Sequence, residues 1–535
     1  MSMNEKEIIQ KPKSPYLTND NAIKPSTNNL QPNPQKQIQP FQIKSPSTIE
    51  ESPDPIYKKY IEEPEDNDGE DTNPEAQGTA SAKAAGIQIA NTIIGAGILS
   101  IPIVMRYLGI LLGTLFIIFI AFVTAYSVYL LIRCQQITGK SGYSMFAKIT
   151  FGSPGSFLVK VIIIIGNFGS CCAYLRIFGD TMQTTVQAFV SPNNFWVTNW
   201  HNFIYIIMIG FAMVVFVFQK KIDSLKKVST IGVIAVLVFV VSVFVLFFYK
   251  LACNLVPHKI TSKFLFPECN AMECLQSLPT VFLAFTFQFN VFPIYFSLRN
   301  KTRKEMLTAT KYGVSFCLIM FFLTGLLGFL MFGTNMNDTI LTELYYDMVK
   351  YKNTNSFIKY IVILISIAFV MSTLMGFPPM FFSLKKNFIN SLIFCNKKCI
   401  PKHNNETNST HSKHKHNNSS NDDEKQSEIE IESGNKLMKK ENEQLFSNCV
   451  ENIIILAVYI LILVVTILIP KLKIIFHILG ATSGNFISFI FPNIFYIRLI
   501  SMSKRKDSVI LPYILLIIGC CFLIMSLCIS IIKTG

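Results

Sequence analysis

The feature that most constrains this chain is a succession of long apolar runs, such as VIIII at 161–165 and IIILAVYILILVV at 453–465. A hydrocarbon core of ~30 Å needs ~20 apolar residues per crossing helix. Runs of that length lie near 82–107, 109–132, 155–186, 202–218, 229–249, 276–297, 305–333 and 356–383, and then near 448–469, 473–498 and 508–532. Each far exceeds the ~10 residues of a membrane strand, and none alternates apolar with polar. The reading is an all-α integral membrane protein with eleven transmembrane helices.

Composition agrees. Half of the 535 residues are apolar, 46 are Phe, and only 15% are charged, against roughly 25% in soluble domains. Collagen-like, disulfide-framework and wholly disordered classes are excluded. A soluble multidomain enzyme lacks the charged surface it would need. The 13 Cys show no CxxC and no zinc spacing, and two Trp and seven His leave little for a metal or haem site. No metal site, cofactor or nucleic-acid partner is expected.

Two segments are a different material. Residues 1–79 carry 8 Lys against 14 Asp and Glu, most of the acid in 50–75. They have too little apolar side chain to offset ordering entropy, so a disordered acidic cytosolic tail is expected. It shows no basic region followed by an apolar stretch, so it does not read as a secretory signal peptide. Ser14, Ser45 and Ser52 precede Pro and suit phosphorylation, or are simply common tail composition. The stretch 384–446 is a second polar segment and is expected as a disordered cytosolic loop. Its four His (His403, His411, His414, His416) have nothing to hold a coordination geometry. The expected organisation is the tail, helices one to eight over 80–383, the loop, and helices nine to eleven over 447–535.

Lys and Arg set the orientation. With the N-terminus in the cytosol, the inside loops carry Lys220, Lys221, Lys226 and Lys227, then Arg299, Lys301, Arg303 and Lys304, then Arg498, Lys504, Arg505 and Lys506. The outside loops are sparse, and 188–201 has neither Lys nor Arg. Asn337, in NDT, then faces outward as a glycosylation acceptor. Cys253, Cys269 and Cys274 share one outside loop, where any two could form a disulfide in an oxidising compartment.

Transport sites inside membranes come from helices interrupted at mid-depth, in matching places of two inverted halves. Span 1, AAGIQIANTIIGAGILSIP, carries Asn91, Thr92 and the Gly95-Ala96-Gly97 triplet, with Pro102 beyond. Glycine permits unwinding, which exposes N–H groups suited to a carboxylate and carbonyls suited to a cation. A small-residue packing face is the competing reading. Span 6, LPTVFLAFTFQFNVFPIYFSL, carries Thr286, Gln288 and Asn290 before Pro293, an interior proline that removes a helical hydrogen bond; a plain proline kink competes. Spans 1 and 6 are five apart. Five is odd, so the second half repeats the first upside down, and span 11 is an appendage. Arg176 and Asp180 stand i,i+4 in span 3, either as an ion pair or gate or as groups reaching the interface. Ser372 and Thr373 precede FPP in span 8, where back-bonding to their own helix competes with a site role.

Five stretches, in order, resemble the amino acid/auxin permease superfamily, and within it the sodium-coupled neutral and the vacuolar amino acid transporters. They are QIANTIIGAGILSIPIVMRYLGI, YSMFAKITFG with GNFGSCCAYLRIFGD, LKKVSTIGV, FTFQFNVFPIY, and IPKLKIIFHILGATSGNFISFIFPNIFYIRL. The resemblance covers about 80–535 without the loop near 395–445. It implies a LeuT-like fold, an inverted five-helix repeat plus an extra helix, and movement of an amino acid with Na⁺ or H⁺ by alternating access. By position it implies that Gly95, Ala96 and Gly97 bind the substrate carboxylate. It places Asn91 at the cation and substrate site, and Ser372 or Thr373 at the sodium site. Many relatives have Cys-His-Pro-Glu in helix 6. This chain has Phe287-Gln288-Phe289-Asn290, which removes a titratable His; His477 in span 10 is a weak substitute.

The expectation is a secondary transporter of neutral amino acids, not an enzyme, in the plasma membrane or the vacuole or lysosome. Phe285, Phe289 and Phe292, with Gln288, are expected around the substrate. Besides substrate and lipid bilayer, the tail would engage cytosolic partners. An alternative is a membrane-embedded amino acid sensor that recruits those partners through tail and loop. An ion channel has no visible pore loop, and a membrane enzyme has no HExxH or suitable GxSxG.

Overall fold

The computed structural model describes residues 78–189, 202–217, 225–256, 265–266, 271–336, 339–350, 356–399, 450–469 and 472–534. All lie in one compact unit, Glu51–Gly535. Residues 1–77, the stretch 400–449, Asn337 and Cys269 lie outside the described residues.

The first apolar run does not form one helix. α1 (Ala82–Ile93) starts on Ser81, whose hydroxyl accepts from the Ala84 N–H at 3.3 Å, and stops at Ile94 and Gly95. A 3₁₀ turn, Ala96–Ser100, then leads into α2 (Ile101–Thr138). Pro102 lies in the first turn of α2, where its missing N–H is not needed. The sequence boundary between spans 1 and 2 survives only as a bend at Gly109, with φ 72°. A side chain there would also strike the Leu265 carbonyl, 2.7 Å from a built Cβ. α3 (Tyr143–Phe189) begins before the expected span 3 and bends at Gly152, φ 72°.

α4 (Asn202–Val217) and α5 (Leu225–Ala252) complete the first half. The second half opens with another interruption. α6 (Ala271–Ala284) ends, Phe285–Phe287 is non-helical, a 3₁₀ turn covers Gln288–Asn290, and α7 (Val291–Ser297) resumes. This corrects the role expected of Pro293. It is the third residue of α7, a position tolerant of proline, so it starts the second half-helix rather than kinking a continuous one. α8 (Arg303–Phe332) is capped by the Thr302 hydroxyl, which accepts from the Glu305 N–H at 3.2 Å. A short amphipathic α9 (Ile340–Lys350) precedes α10 (Ser356–Cys399). α10 runs past 383, the expected end of span 8, and Leu384 and Ser391 beyond that point are buried.

After the polar segment come α11 (Val450–Leu468), α12 (Leu472–Leu479), α13 (Phe491–Met502) and α14 (Ile510–Thr534). Between α12 and α13 the chain winds as a wider π-helix over Gly480–Gly484 and Phe486–Ile490. Nothing in the apolar pattern of span 10 signals that widening.

Eight stretches among the described residues are long and apolar enough to cross a membrane, and Phe203–Val214 and Ile510–Ser526 are shorter apolar helices. Their outward faces remain apolar: Phe211 is 82% exposed, Leu468 72% and Ile510 70%. Such surfaces are stable against lipid, not water. α1 lies against α8, α2 against α8, and α10 against both α3 and α5. The α1–α8 crossing is close because glycines face it: a Cβ on Gly313 would stand 2.8 Å from the Gly86 carbonyl. Ahead of α1, the Ala80 N–H donates to the Ser297 carbonyl (2.9 Å) and the Arg299 N–H to the Ala80 carbonyl (2.8 Å). This parallel bridge ties the start of span 1 to the end of span 6.

Candidate functional site

The two interruptions meet. A Cβ on Gly97 would lie 2.5 Å from the Ala284 Cβ and 2.7 Å from its Cα, so the turn in span 1 packs directly on the end of α6, at the edge of the break in span 6. Beside them opens a cavity that, with its mouth, holds about 560 Å³. Thr92, Ile93, Gly95 and Gly97 line it from span 1, and Leu283, Ala284, Thr286 and Phe289 from span 6. α3 contributes Gly166, Asn167, Ser170, Ala173 and Tyr174; Met380 comes from α10, and Phe476, Ser483 and Ile487 from span 10.

None of these lining residues is Asp, Glu, Lys, Arg or His. The polarity of the site therefore comes from hydroxyls, one amide and the peptide groups at the breaks. The first N–H groups of a helical segment have no partner within it, and aligned peptides put partial positive charge there. The turn beginning at Ala96 puts such an end beside the cavity-lining Gly95 and Gly97, while the end of α1 at Ile93, which also lines the cavity, has the opposite sign; the Gly95 N–H donates to the Ile93 carbonyl at 2.8 Å. Most lining hydroxyls are tethered to their own helix, Thr92 to the Gln88 carbonyl (2.9 Å) and Ser170 to that of Gly166 (2.8 Å). Asn167 donates through its amide to the Ser383 hydroxyl at 2.9 Å. The Tyr174 hydroxyl stands against Gly95, 2.3 Å from a built Cβ, and near Gly376 on α10. No group of three or more metal-ligating side chains occurs among the described residues.

Of the residues expected from sequence, Gly95, Gly97 and Phe289 line this cavity, with the backbone of Ala96 between the first two. Others are placed differently. Asn91 is buried and donates to the Ser229 hydroxyl of α5 at 3.3 Å; its oxygen presses on Gly232. Phe285 packs edge-on against Phe321, with centroids 4.9 Å apart, and Phe292 against Phe146 at 5.6 Å. Gln288 is wholly buried beside the cavity, in hydrogen bonds taken up below. Thr373 back-bonds to the Phe369 and Val370 carbonyls, and Ser372 is buried on the same helix. Arg176 and Asp180 form an ion pair at 3.1 Å. Cys253 is exposed, and Cys274 donates to the Tyr107 carbonyl at 3.1 Å; Cys269 of the same loop lies outside the described residues.

The α3 wall was not singled out from the sequence. The weak signal was present: Gly166, Ser170 and Tyr174 recur every four residues in GNFGSCCAY, a small and polar stripe in an apolar helix.

Comparisons with known proteins agree with this architecture. The chain is 28% identical over 334 residues to amino acid transporter AVT6E of Arabidopsis thaliana, a match covering 60% of this chain and 66% of that one, just under two thirds. Amino acid transporter AVT6C of the same plant is 28% identical over 327 residues, covering 59% and 72%. The structure of Mhp1, a nucleobase-cation-symport-1 family transporter in a closed conformation, superposes with a TM-score of 0.50 at 10% identity, covering 85% of this chain and 93% of that one, a likeness of fold alone. The family model described as "transmembrane amino acid transporter protein" matches residues 78–534, and the chain, a multi-pass membrane protein, belongs to that family.

Proposed function

We propose that this protein is a secondary transporter of neutral amino acids that works by alternating access. One observation carries the reading: two helices, each opening one half of the bundle, lose their winding at the same depth and face a common cavity. The substrate carboxylate is taken at Gly95, Ala96 and Gly97, where the turn leading into α2 begins; the Gly95 N–H, which donates to the Ile93 carbonyl at 2.8 Å, would exchange that bond for the carboxylate. Tyr174, whose hydroxyl already stands at Gly95, adds a donor. The ammonium group goes to carbonyls at the end of α1. The side chain points toward Phe289, Met380, Phe476 and Ile487. A lining without ionisable carboxylates or amines favours neutral over charged substrates, since an unpaired charge is costly to bury.

Coupling is to Na⁺ or H⁺. Asn91 sits where α1, α5 and α10 converge, with Ser229 and Met375 beside it, and Ser372 and Thr373 are on α10. A cation held there would share α1 with the substrate, which is how binding of one favours the other. Eight long stretches, α4, α14 and the broken first span support a reading of eleven crossings, and the Lys- and Arg-rich loops support placing the N-terminus in the cytosol.

The test is uptake into proteoliposomes of a radiolabelled amino acid panel, with and without a Na⁺ or pH gradient. Stimulation of a neutral amino acid by one gradient is expected. Active, folded protein that moves no amino acid under either gradient ends the proposal.

A further inference from the structure

Unwinding span 6 at Phe285–Phe287 releases peptide groups inside the bilayer, where each must be met within the protein. The Phe287 N–H is met by the side chain of the next residue, donating to Gln288 Oε1 at 2.9 Å. That fixes the amide's orientation, because a backbone N–H only donates. The same oxygen accepts from the Ser488 hydroxyl at 3.1 Å, and Nε2 donates to Ser127 Oγ of α2 at 3.1 Å. Ser127 in turn donates to the Thr124 carbonyl at 2.8 Å. One fully buried amide thus joins the break in span 6, α2, and the π-wound part of span 10.

Gln288 does not line the cavity, but its neighbours do. Thr286 and Phe289 stand on one wall; Ser483 and Ile487 stand on the other, the latter directly before Ser488. We infer that Gln288 is a positioning residue: by clipping span 6 to Ser488 it sets the separation of these two walls, and with it the size of side chain the cavity admits. This rests on the reading of the cavity as an amino acid site. A lost hydrogen bond would otherwise act on the whole fold; here it acts on one dimension of one pocket.

Two variants of the full-length protein test it. Gln288→Met keeps the length and volume of the side chain and removes all three bonds, and Ser488→Ala removes the bond to Gln288 together with the hydroxyl contact to Thr286 (3.2 Å), with little change of shape. In proteoliposomes each should shift the ratio of L-phenylalanine to L-alanine uptake by about fivefold or more, through KM rather than maximal rate. The double variant should shift it by clearly less than the sum of the two single shifts, since both remove the Gln288–Ser488 contact. Active variants with the wild-type ratio, or fully additive shifts, overturn the inference. A second readout needs no transport. Ile487→Cys places a thiol on the cavity wall, and its maleimide labelling, followed on the isolated peptide by mass spectrometry, should change by about threefold or more when Gln288→Met or Ser488→Ala is added. An unchanged labelling rate with both overturns the inference as well. Changed labelling in a protein that moves no amino acid sustains the wall-spacing role and removes the transport reading instead.

Discussion

At the scale of single residues, the two cavity glycines are required for different reasons. Gly95 faces the end of a side chain, the Tyr174 hydroxyl, whereas Gly97 faces the Cα of Ala284 at 2.7 Å from a built Cβ. Gly95→Ala should therefore cut uptake by about tenfold, the effect of 1–2 kcal/mol of overpacking. Tyr174→Phe added to it should restore part of the loss, since the ring carbon behind the hydroxyl is 3.1 Å away. Gly97→Ala should cut uptake at least as much, with no rescue by Ala284→Gly, because backbone cannot be removed. Measuring uptake of the four variants and of Tyr174→Phe alone checks both halves. The sequence pointed to these glycines through their clustering in an apolar run. It did not tell Gly95 from Gly97, because the difference lies in which partner each meets across the bundle. Asn91 and Gln288 show the same limit: both were visible as amides in apolar helices, but only packing sends one to Ser229 and the other to Phe287, Ser127 and Ser488.

At the scale of elements, α9 is held down by charge. Lys250 at the end of α5 pairs with Asp347 of α9; the lysine side chain is 1% exposed and the aspartate 14%. The Lys250 ammonium also lies 5.0 Å from the centre of the Phe332 ring. Removing one partner strands the other's buried charge, so Asp347→Ala should cost about 3–5 kcal/mol. Thermal unfolding in detergent should register this as a clear fall in Tm. Lys250→Met with Asp347→Leu should return the Tm close to the wild type, because the desolvation cost of the pair disappears with its attraction. At this scale the helices themselves were legible, since length and apolarity decide them. Their ends were less so. α10 continues to Cys399, and span 10 widens into π winding where it meets its neighbours. There Gly480 packs against the Pro279 carbonyl of α6, and Asn485 donates to the Gly519 carbonyl of α14 at 2.8 Å.

At the scale of the whole molecule, the first described residues already touch the bundle: Gly78 lies against the Leu298 carbonyl, and Ala80 forms the parallel bridge with residues 297–299. Removal of residues 1–77 should leave uptake and Tm near their full-length values. Removal of four more should lower both, since it deletes the bridge and the Ser81 cap of α1. A truncation series read by uptake and unfolding checks this, and an equal loss from the shorter deletion would place essential contacts in the acidic tail.

The chain's apolar runs determined that it is helical and that it belongs in a bilayer, because hydrocarbon leaves an unpaired peptide no alternative partner. The small and polar residues inside two of those runs marked where interruptions could fall, and only the packed structure decided between a break and the competing packing face or proline kink. The wall contributed by α3, the clip at Gln288 and the π winding of span 10 were decided only when the helices packed. Which face of an apolar helix turns inward is a property of its neighbours, and with lipid on one side and protein on the other a stripe as faint as Gly166, Ser170 and Tyr174 does not by itself separate a cavity wall from a packing face.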